Sequence, residues 1–461
     1  MLSVLQASAW YPPASMGGTE VYVSGLVREL REQGIGSTVV APLAPDLDDG
    51  YRHDGTVVRT YSVNAAPTPG ELRGERPHQD FSRFREIVAD INPDVYHQHS
   101  WTRGLGLPHL RAAHELGLPT VLTVHVPGLL CRRGTMMRFG EEACDGRIDG
   151  FTCAACWNQS RGAPKPLAAA LAGLSATVGA VAERVMPPGR LATALSAFAM
   201  IERARDDVLA MVDCADRIVA VCQWLYDALL LNGVPAQKLV LSRQGVDCQF
   251  AAALGGARSA RQSSPDNAVS QPFRLIYLGR WQSVKGIDVV TRAVTALPPD
   301  TPVELVIHGI GDSSEEREYQ AKVRGIAGND PRIGILPPVA RAELPAKLLK
   351  ADALVVPSQW LETGPLVVLE AKAAGLPILG SRLGGIAELV REPNDGLLVE
   401  SGDVAAWTAA ILRMMRNPRP TAVRTPAEVR TMRDVAVGMS DLYRSLSSER
   451  APHVAAAAMW S

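Results

Sequence analysis

The chain contains 461 residues, a length that predicts two or three domains rather than a single core. Its 47 basic and 48 acidic side chains leave a formal net charge of −1, which excludes the strongly basic surface of a typical nucleic-acid-binding protein. Hydrophobic residues make up 47% of the chain and aromatic residues only 5%, a balance typical of an α/β enzyme rich in Ala, Leu and Val.

We expect neither secretion nor a membrane span. The first residues, MLSVLQASAWYPP, have no basic segment and too short an apolar run for a signal peptide. We find no stretch of about 18 uninterrupted apolar residues, so no transmembrane helix is predicted. Seven cysteines, an odd number in a chain without a signal, argue against a disulfide framework and for a cytoplasmic protein.

The first half alternates short β-branched runs with amphipathic segments, which predicts βαβ units and a parallel sheet. The predicted strands are residues 2–8, 36–42, 94–100, 119–126 and 216–222. Residues 19–34 form the first predicted helix, because apolar side chains recur on one face until Gly34 ends it. Residues 162–211 are predicted to be mostly helical, with an interruption at 186–189.

Residues 252–272 break this pattern, since they are rich in Ser, Gly and Ala without a hydrophobic period, and we interpret them as an interdomain linker. A second alternation follows, with predicted strands at 273–280, 302–311, 332–339, 352–358 and 376–381. We therefore predict two doubly wound, Rossmann-like α/β domains, 1–251 and 273–430, with a ligand site in the cleft between them. Residues 431–461 are predicted to form a C-terminal helix and a frayed tail.

Gly17 and Gly18 follow the first predicted strand and precede the first helix. Paired glycines let the backbone approach a ligand closely, and the free N–H groups of a helix start attract anions. A plain strand-to-helix turn that needs a positive φ is the alternative. The pattern is neither a Rossmann G-x-G-x-x-G nor a Walker loop, since no G-K-[ST] follows.

Arg280 and Lys285 follow the first strand of the second predicted domain, five positions apart. Arg offers a planar fork of donors and Lys a compact charge, a combination suited to a diphosphate. Two solvated surface cations are the alternative interpretation.

The segment WLETGPLVVLEAKAAG, residues 360–375, predicts a helix over 365–374. Pro365 suits the first helical position with Gly364 as N-cap, and Gly375 suits the C-terminal cap. The amides at the start of this helix are expected at the carboxyl end of a strand, the usual ligand crevice of such sheets. An anion placed there gains typically 0.3–1 kcal/mol from the helix dipole.

Glu362 precedes this predicted helix, and Glu370 lies about two turns along it. At a rise of about 1.5 Å per residue, their backbones are roughly 10 Å apart. Retaining glycosidases hold their two carboxyl groups about 5–5.5 Å apart, so the spacing disfavours an acid–base pair. We interpret the two carboxylates as contacts to different parts of one long, hydroxyl-rich ligand.

Taken together, these motifs resemble glycosyltransferase family 4, the retaining sugar-nucleotide glycosyltransferases of GT-B fold. The matching segments are YPP and MGGTE near the N-terminus, PDVYHQHS at 93–100, TVHVPG at 123–128, LGRWQSVKG at 278–286, and ETGPLVVLE at 362–370 with AKAAGLPILGSRLGGIAELV after it. They span most of the chain, and their combination is specific although each segment alone is weak.

The resemblance implies transfer of a hexose-type sugar from a UDP- or GDP-sugar to an acceptor hydroxyl, with retention of configuration. Synthesis of a polysaccharide, glycolipid or other glycoconjugate is the implied setting. A glycan, a lipid-linked molecule or a small molecule remains open as the acceptor. Peripheral contact with the inner face of a membrane also stays open, and no nucleic acid partner is implied.

The resemblance also implies roles for individual residues. His125, in HVPG, would lie beside the reacting centre, with a hydrogen-bonded histidine at a strand end as the alternative. Glu362 would contact the donor sugar and Glu370 the ribose, while Arg280 and Lys285 would neutralise the diphosphate. The backbone of the donor site would comprise Gly17, Gly18, Thr363, Gly364, Pro365 and Leu366.

The implied mechanism is a displacement on one face of the sugar, in which the leaving diphosphate helps to take the acceptor's proton. It requires neither a protein nucleophile nor a catalytic divalent cation, so charge stabilisation and positioning would supply the catalysis. One departure is Gln244, in SRQGVD, where relatives usually have Asn. We assign no role to this residue.

Four cysteines fall within 26 residues in a polar insertion predicted over 128–160, and they are Cys131, Cys144, Cys153 and Cys156. Four thiolates that include one C-x-x-C pair favour a closed tetrahedral zinc site that staples the loop. Another metal or redox role and four incidental thiols are the alternatives. Cys214, Cys222 and Cys248 are interpreted as buried small hydrophobic residues.

Two other classes of function are alternatives to a transferase. A sugar-nucleotide epimerase would need a different acid–base set, and a phosphorylase would need a cofactor lysine with phosphate-binding features that the sequence does not show. A catalytically silent nucleotide-sugar-binding protein would not need the intact set of charged residues described above.

Overall fold

A computed structural model describes residues 1–13, 17–43, 50–64, 66–72, 77–78, 80–187, 189–262, 271–416 and 429–458. The chain divides into two compact units. The first unit is Met1–Arg243 together with Met432–Ser461, and the second is Gln244–Thr431. The chain therefore passes from one unit to the other twice, and the C-terminal segment belongs to the first unit.

A mainly parallel sheet forms the centre of the first unit. The described strands of the unit are β1 (Ser3–Ala7), β2 (Gly36–Leu43), β3 (Gly50–His53), β4 (Thr56–Ser62), β5 (Val95–Gln98), β6 (Thr120–Val124), β7 (Met137–Arg138), β8 (Glu142–Ala143), β9 (Arg217–Ala220) and β10 (Leu239–Leu241). The sheet order is β10-β9-β6-β5-β1-β2-β4-β3, and only β3 pairs antiparallel, with β4. β7 and β8 form a separate antiparallel hairpin.

Helices accompany this sheet. In the described residues they are α1 (Gly18–Glu32), α2 (Pro69–Leu72), α3 (Phe81–Ile91), α4 (Leu107–Glu115), α5 (Gly150–Ser160), α6 (Lys165–Val185), α7 (Arg190–Leu195), α8 (Ala197–Cys214) and α9 (Gln223–Leu231). The residues of β5 and β6 are buried without alternation. Such strands are typical of a parallel sheet that is covered on both faces.

Helix α6 is long and apolar enough to cross a membrane by length and composition, and no other described helix meets that test. The prediction of no transmembrane helix relied on uninterrupted apolar runs, and Ser175 and Thr177 interrupt the run in this helix. In this structure α6 packs against α5, α7 and α8. Its buried face carries small residues such as Ala168, Ala172 and Gly179, which let neighbouring helices approach closely.

The second unit contains a fully parallel sheet. Its described strands are β11 (Phe273–Arg280), β12 (Val303–Ile310), β13 (Ile333–Leu336), β14 (Ala353–Val356), β15 (Ile378–Ser381) and β16 (Gly396–Val399). The order is β13-β12-β11-β14-β15-β16. The accompanying helices are α10 (Cys248–Gln262), α11 (Ile287–Thr295), α12 (Ser314–Ala327), α13 (Leu344–Leu349), α14 (Leu366–Ala374), α15 (Gly384–Leu389) and α16 (Val404–Arg416).

Two hydrophobic clusters cover the two faces of this second sheet. Leu275 and Tyr277 of β11 belong to the cluster that contains Trp407 of α16. Ile276, between them, belongs to the other cluster, with Val368 of α14. Successive side chains of a strand point to opposite faces, so the pleat of β11 distributes its residues between the two layers of helices.

The ten strands predicted from the sequence are all present, with ends within three residues of the predicted ones. The strands β3, β4, β10 and β16 and the hairpin of β7 and β8 were not predicted. The helical stretch after residue 162 is present as α6, α7 and α8.

The linker prediction was wrong for residues 252–262, because they belong to α10. Residues 263–270 of that predicted linker lie outside the described part of the chain. Phe250 and Leu254 are buried in the second unit, and α10 packs against α13 and α14. Tertiary packing therefore stabilises a helix in which Gly255 and Gly256 lower the intrinsic propensity.

The C-terminal helix α17 (Met432–Ala458) packs against α1 of the first unit, a contact that the sequence pattern did not predict. It continues to Ala458, where a frayed tail was expected from residue 451 onward. The boundary between the units also lies at residue 243, before the predicted end of the first domain at 251.

Candidate active site

The first unit brings part of the predicted site to the carboxyl edge of its sheet. His125 directly follows β6, and His99 follows the neighbouring strand β5. Nδ1 of His99 lies 3.2 Å from Nε2 of His125. The ring of Tyr22, in the first turns of α1, lies edge-on to His125 with 4.7 Å between ring centroids. Because Gly17 caps α1, this contact ties the glycine pair and His125 to the same edge of the sheet.

The glycine pair does not serve a turn with positive φ, so that alternative was wrong. Gly17 is extended, with φ −92° and ψ −177°, and Gly18 is the first residue of α1. Among the described residues, no atom lies within 4 Å of the position that a Cβ on Gly18 would occupy. The Cβ side of Gly18 is therefore unobstructed by the described residues outside its own helix, which suits close approach of a ligand.

Buried polar side chains connect His125 to three strands and to the C-terminal helix. Oε1 of Gln6 accepts from Nε2–H of His99 over 2.7 Å, which leaves Nδ1 of His99 to accept from Nε2–H of His125. His97 contacts Oγ1 of Thr123 at 2.7 Å and the hydroxyl of Tyr443, in α17, at 2.6 Å. The rings of His97 and His99 are 3.9 Å apart. These contacts select one tautomer of His125, with the lone pair on Nδ1.

All three of these histidines are held neutral. Burial lowers the pKa of His125 to about 3. Burial, with the neighbouring histidines as further contributors, lowers the pKa of His97 and of His99 well below its usual range. His125 is therefore a hydrogen-bonding group near neutral pH, not a cation.

We expect the free energy of unfolding to fall as the pH is lowered below about 6.5. An unfolded chain protonates His125 near pH 6.5, whereas the folded chain resists protonation down to about pH 3. Between these values the unfolded state holds more protons, so each such histidine costs about 1.4 kcal/mol of stability per pH unit. Urea unfolding between pH 7.5 and 5 measures this slope.

The matched variant is His125→Gln, which should make the dependence on pH shallower, by up to about 1.4 kcal/mol per pH unit. An equal slope in wild type and His125→Gln would contradict the assignment.

The second unit brings Lys285 and Glu362 together at the carboxyl ends of β11 and β14. Nζ of Lys285 lies 2.7 Å from Oε1 of Glu362, and the hydroxyl of Ser358 donates to the same oxygen over 2.8 Å. The side chains of Lys285 and Glu362 are only 20% and 8% exposed. Nζ of Lys285 also lies 5.0 Å from the centre of the Trp360 ring, so the ammonium has a fixed, partly desolvated position.

Gly286 explains how Lys285 reaches this position. It adopts φ +67° between the short 3-10 turn Ser283–Lys285 and α11. A Cβ at Gly286 would collide with the backbone carbonyl oxygen of Pro357, in the segment after β14. Only glycine allows the two segments to approach this closely, so Gly286 holds Lys285 against the loop that carries Glu362.

The loop before α14 differs slightly from its prediction. Pro365 is the N-cap, with ψ +119°, and Leu366 is the first helical residue, so the placement of Pro365 at the first helical position was wrong by one. Gly364 has φ +153°, which bends the chain before the proline and delays the start of the helix. Gly375 ends the helix at φ +68°, as predicted.

A second loop, after β15, supports the segment that contains Glu362 and Thr363. The amide of Gly385 donates to the carbonyl oxygen of Glu362 over 2.6 Å. A Cβ on Gly385 would lie 2.7 Å from that oxygen and 2.8 Å from the amide nitrogen of Gly364. The GG of SRLGGIAELV is thus a close-packing requirement of the predicted donor site.

Glu370, on the buried face of α14, has a different cationic partner. Its Oε1 accepts from Nη1 of Arg341, whose guanidinium lies 5.1 Å from the centre of the Phe250 ring. Burial raises the pKa of the Glu370 carboxyl, and Arg341 opposes this rise. Glu362 and Glu370 therefore form two separate contacts, each neutralised by its own cation.

Arg280 ends β11 with an exposed side chain, and the Tyr277 hydroxyl donates to its carbonyl oxygen over 3.1 Å. The structure does not join Arg280 to the pair of Lys285 and Glu362. Its place at the carboxyl end of the strand puts Arg280 at the same edge of the sheet as Lys285, and its charge interacts with Glu316.

Several site residues were missed by the sequence reasoning. Ser358 is the last residue of the predicted strand 352–358, and Trp360 is the first residue of the segment WLETGPLVVLEAKAAG. No pattern indicated that either side chain contacts Lys285 or Glu362. No sequence pattern indicated that Arg341 pairs with Glu370, since 29 positions separate the two residues. Gln244 is buried, and its Oε1 has no hydrogen-bond partner in the described part of the chain. That oxygen lies 3.0 Å from the Cβ position of Gly364, beside the predicted donor site.

The cysteines fall into two groups. Cys131, Cys144, Cys153 and Cys156 line one cavity in the insertion after His125, and all four are free thiols. Of the remaining three, Cys214 and Cys222 are buried as expected, whereas Cys248 is half-buried at the start of α10.

Comparisons with known proteins identify the family of the chain. Residues 17–245 match the family described as "Glycosyl transferase 4-like domain", and residues 260–430 match "Glycosyl transferases group 1". The chain is 28% identical over 428 residues to D-inositol 3-phosphate glycosyltransferase 1 of Catenulispora acidiphila. This alignment covers 89% of the chain and 85% of that relative.

Solved structures show the same fold. Sucrose-phosphate synthase from Thermosynechococcus elongatus superposes with a TM-score of 0.65 at 20% identity, covering 97% of this chain and all of that one. Anabaena HepE, solved with UDP and glucose, superposes with a TM-score of 0.57 at 15% identity, covering 99% of this chain and all of that one.

The two Rossmann-like units and the charged groups at their strand ends define a glycosyltransferase that uses a nucleotide sugar. The chain belongs to glycosyltransferase family 4 and has the GT-B fold.

Proposed function

We propose that this protein transfers a hexosyl group from a UDP- or GDP-sugar to an acceptor hydroxyl, with retention of the anomeric configuration. The observation that carries the proposal is the set formed by Lys285, Glu362 and Ser358 at the carboxyl ends of β11 and β14. Its cation and carboxylate are in direct contact, as the junction between a diphosphate and a sugar demands. Open sheets of this kind bind nucleotides at that edge.

The donor would extend from this set toward Glu370. The sugar hydroxyls lie on Glu362, and the diphosphate lies on Lys285, Arg280 and the first amides of α14, from Leu366 onward. The ribose hydroxyls reach Glu370, which Arg341 holds in place. A carboxylate accepts hydrogen bonds from sugar hydroxyls without a change in its own geometry, so both glutamates act as acceptors for hydroxyl groups.

In the reaction, the bond between the anomeric carbon and the oxygen of the β-phosphate breaks, and the nucleoside diphosphate leaves with the electron pair. The acceptor oxygen forms its new bond on the same face of the sugar. The acceptor's proton passes to an oxygen of the leaving diphosphate, so charge and protons balance without a protein nucleophile. Lys285 and Arg280 stabilise the negative charge that develops on the diphosphate.

His125 contributes as a neutral imidazole. Burial keeps it uncharged. The hydrogen bonds from His125 to His99 and from His99 to Gln6 keep the proton of His125 on Nε2. We place the His125 side chain beside the anomeric carbon of the donor sugar. Gly18 leaves room for a phosphate beside the start of α1 among the described residues.

The proposal is tested with a thermal-shift and transfer screen. UDP- and GDP-linked hexoses are added to the full chain, since a ligand that binds only the folded protein raises the unfolding temperature with its concentration. Donors that stabilise the protein are then tested for release of the nucleoside diphosphate in the presence of polyol phosphates and oligosaccharides. The configuration of the product is read by NMR.

Release of the nucleoside diphosphate that depends on an acceptor, with retention in the product, is the expected result. Binding of a donor without any turnover would favour the silent binding protein instead. Epimerisation of the donor sugar without transfer would contradict the proposal directly.

Variants of the two glutamates should change different steady-state constants. We expect Glu370→Ala to raise the KM for the donor about 10- to 100-fold, because hydrogen bonds to a charged acceptor contribute about 1.5–3 kcal/mol. Glu362→Ala should chiefly lower kcat, since its contact lies next to the reacting carbon. Initial rates at saturating and limiting donor distinguish the two effects. Wild-type constants in both variants would show that the site is wrongly assigned.

A further inference from the structure

The insertion after His125 contains a compact structure that the transfer reaction does not use. It begins with the 3-10 turn Pro127–Leu129, continues through the hairpin of β7 and β8, and ends in α5. One cavity of about 120 Å³ lies within it. The thiols of Cys131, Cys144, Cys153 and Cys156 all line this cavity, although the first and last are 25 positions apart.

The thiols come from different local structures, as the ligands of a structural metal usually do. Cys131 follows the 3-10 turn, and Cys144 follows β8. Cys153 and Cys156 lie three positions apart on α5, which places them on the same face of that helix. A metal bound by all four would tie the hairpin, the turn and the helix together.

N–H donors point at the sulfur of Cys156, as suits a thiolate, whereas the sulfurs of Cys144 and Cys153 lie near oxygens of Asp145 and Arg147, as suits thiols. The amide of Phe139 donates to Sγ of Cys156 over 3.2 Å, and Nη1 of Arg133 lies 3.6 Å from the same sulfur. Donors aimed at sulfur are the outer contacts that orient and stabilise metal-bound ligands. Phe139 has a positive φ of 52° on a non-glycine residue, so the hairpin turn that presents this amide is held in an unusual backbone conformation.

The charges around the cavity also balance a metal–thiolate centre. A divalent ion with four thiolates carries a net charge of −2. Four arginines line the same cavity, and they are Arg132, Arg133, Arg138 and Arg147. Two of these charges would offset the centre, and Asp145 and Asp149, which also line the cavity, would balance the others.

The thiols are not yet arranged as a coordination shell. In the part of the chain that the structure describes, no group of three or more His, Cys, Asp or Glu side chains already has the geometry of a metal site. All four cysteines are free and half-buried rather than paired in disulfides. Assembly of a tetrahedral shell therefore requires rotation of the cysteine side chains into the cavity.

We propose that Cys131, Cys144, Cys153 and Cys156 bind one structural zinc ion, which closes the insertion that follows His125. Binding converts four thiols to thiolates and releases their four protons to solvent, with no change of oxidation state. A set of four sulfur ligands suits zinc, and a closed shell leaves no open position for catalysis. Zinc would thus cross-link the turn, the hairpin and the helix, and add to the burial of apolar residues such as Leu130, Met136 and Ile148.

The primary test is metal content of the full chain, purified under reducing conditions without chelator. Inductively coupled plasma mass spectrometry should find about one zinc per chain. Titration of the thiols with a mercurial should release that zinc, detected with a chromogenic chelator, in step with the loss of four thiols. Chelation should lower the thermal unfolding temperature.

Matched variants locate the ion. The double variant Cys153→Ser and Cys156→Ser should lose the zinc, whereas Cys248→Ser, which alters a half-buried thiol of the second unit, should keep it. Because zinc is measured directly, a negative result here leaves the transferase proposal intact. Fully reduced, undegraded protein that contains no zinc overturns the inference. Disulfides among the four cysteines, or zinc that persists in the double variant, overturn it as well.

Discussion

Replacing Lys285 with alanine is expected to lower kcat/KM for the nucleotide sugar about 10²- to 10³-fold, the usual cost of removing one preorganised charge at a developing anion. Lys285 has a fixed place because Glu362, at 2.7 Å, and the face of Trp360 hold its ammonium. An ammonium positioned before the reaction needs no reorganisation when the diphosphate leaves. The effect should therefore fall largely on kcat.

The matched control is Lys322→Ala. Nζ of Lys322 lies 3.1 Å from Oδ2 of Asp288 and 5.6 Å from the centre of the Tyr319 ring, a similar pairing with a carboxylate and an aromatic ring elsewhere in the second unit. Its replacement should leave kcat/KM close to the wild-type value. An equal loss in the two variants would show that Lys285 acts only through stability.

Removal of Lys285 also leaves the carboxylate of Glu362, which is 8% exposed, without its cation. The thermal unfolding of Lys285→Ala is therefore measured beside its kinetics. The double variant Lys285→Ala and Glu362→Gln removes the unpaired charge. We expect it to recover stability but not activity, which separates a catalytic loss from a folding defect.

Replacing Asp395 with alanine is expected to destabilise the folded protein by about 3–5 kcal/mol, the cost of removing one partner of a buried ion pair. Nζ of Lys372, on α14, lies 3.0 Å from Oδ2 of Asp395, and the two side chains are 10% and 2% exposed. The same Oδ2 accepts the amide of Arg391 over 3.0 Å. Loss of the carboxylate thus leaves the buried ammonium of Lys372 and the amide of Arg391 each with a partner missing.

Denaturant unfolding measures this loss, with Asp312→Ala as the control. Asp312 pairs with Arg317 at 2.9 Å, but their side chains are 90% and 60% exposed, so its loss should cost about 0–1 kcal/mol. The double replacement Lys372→Met and Asp395→Leu should recover part of the stability, because it removes both buried charges. Similar losses in Asp395→Ala and Asp312→Ala would contradict the role assigned to burial.

Much of the fold could be predicted because its signals are local. Parallel strands buried on both faces appear in the sequence as short runs of β-branched and apolar residues, which is why the ten predicted strands were found. Helix α14 was predicted nearly to its ends from Pro365 and Gly375, whose backbone preferences act over one or two residues.

The errors arose where packing outweighs local preference. Helix α10 contains Gly255 and Gly256, and its composition is typical of a linker. Leu254 is nevertheless fully buried in the second unit, and contacts of this kind provide most of the stability of short helices in proteins. The partner of α17 could not be predicted either, since nothing in its own sequence indicates that it packs on α1.

The sequence by itself determined which residue types stand at the strand ends, namely the glycine pair, His125, the two cations and the two glutamates. Only the tertiary structure decided which of them meet. Lys285 and Glu362 are 77 positions apart, and they form an ion pair because β11 and β14 are neighbours in the sheet. Arg341 reaches Glu370 because α13 packs against α14. The order of strands and the packing of helices are properties of the whole unit, so no local pattern carries these pairings.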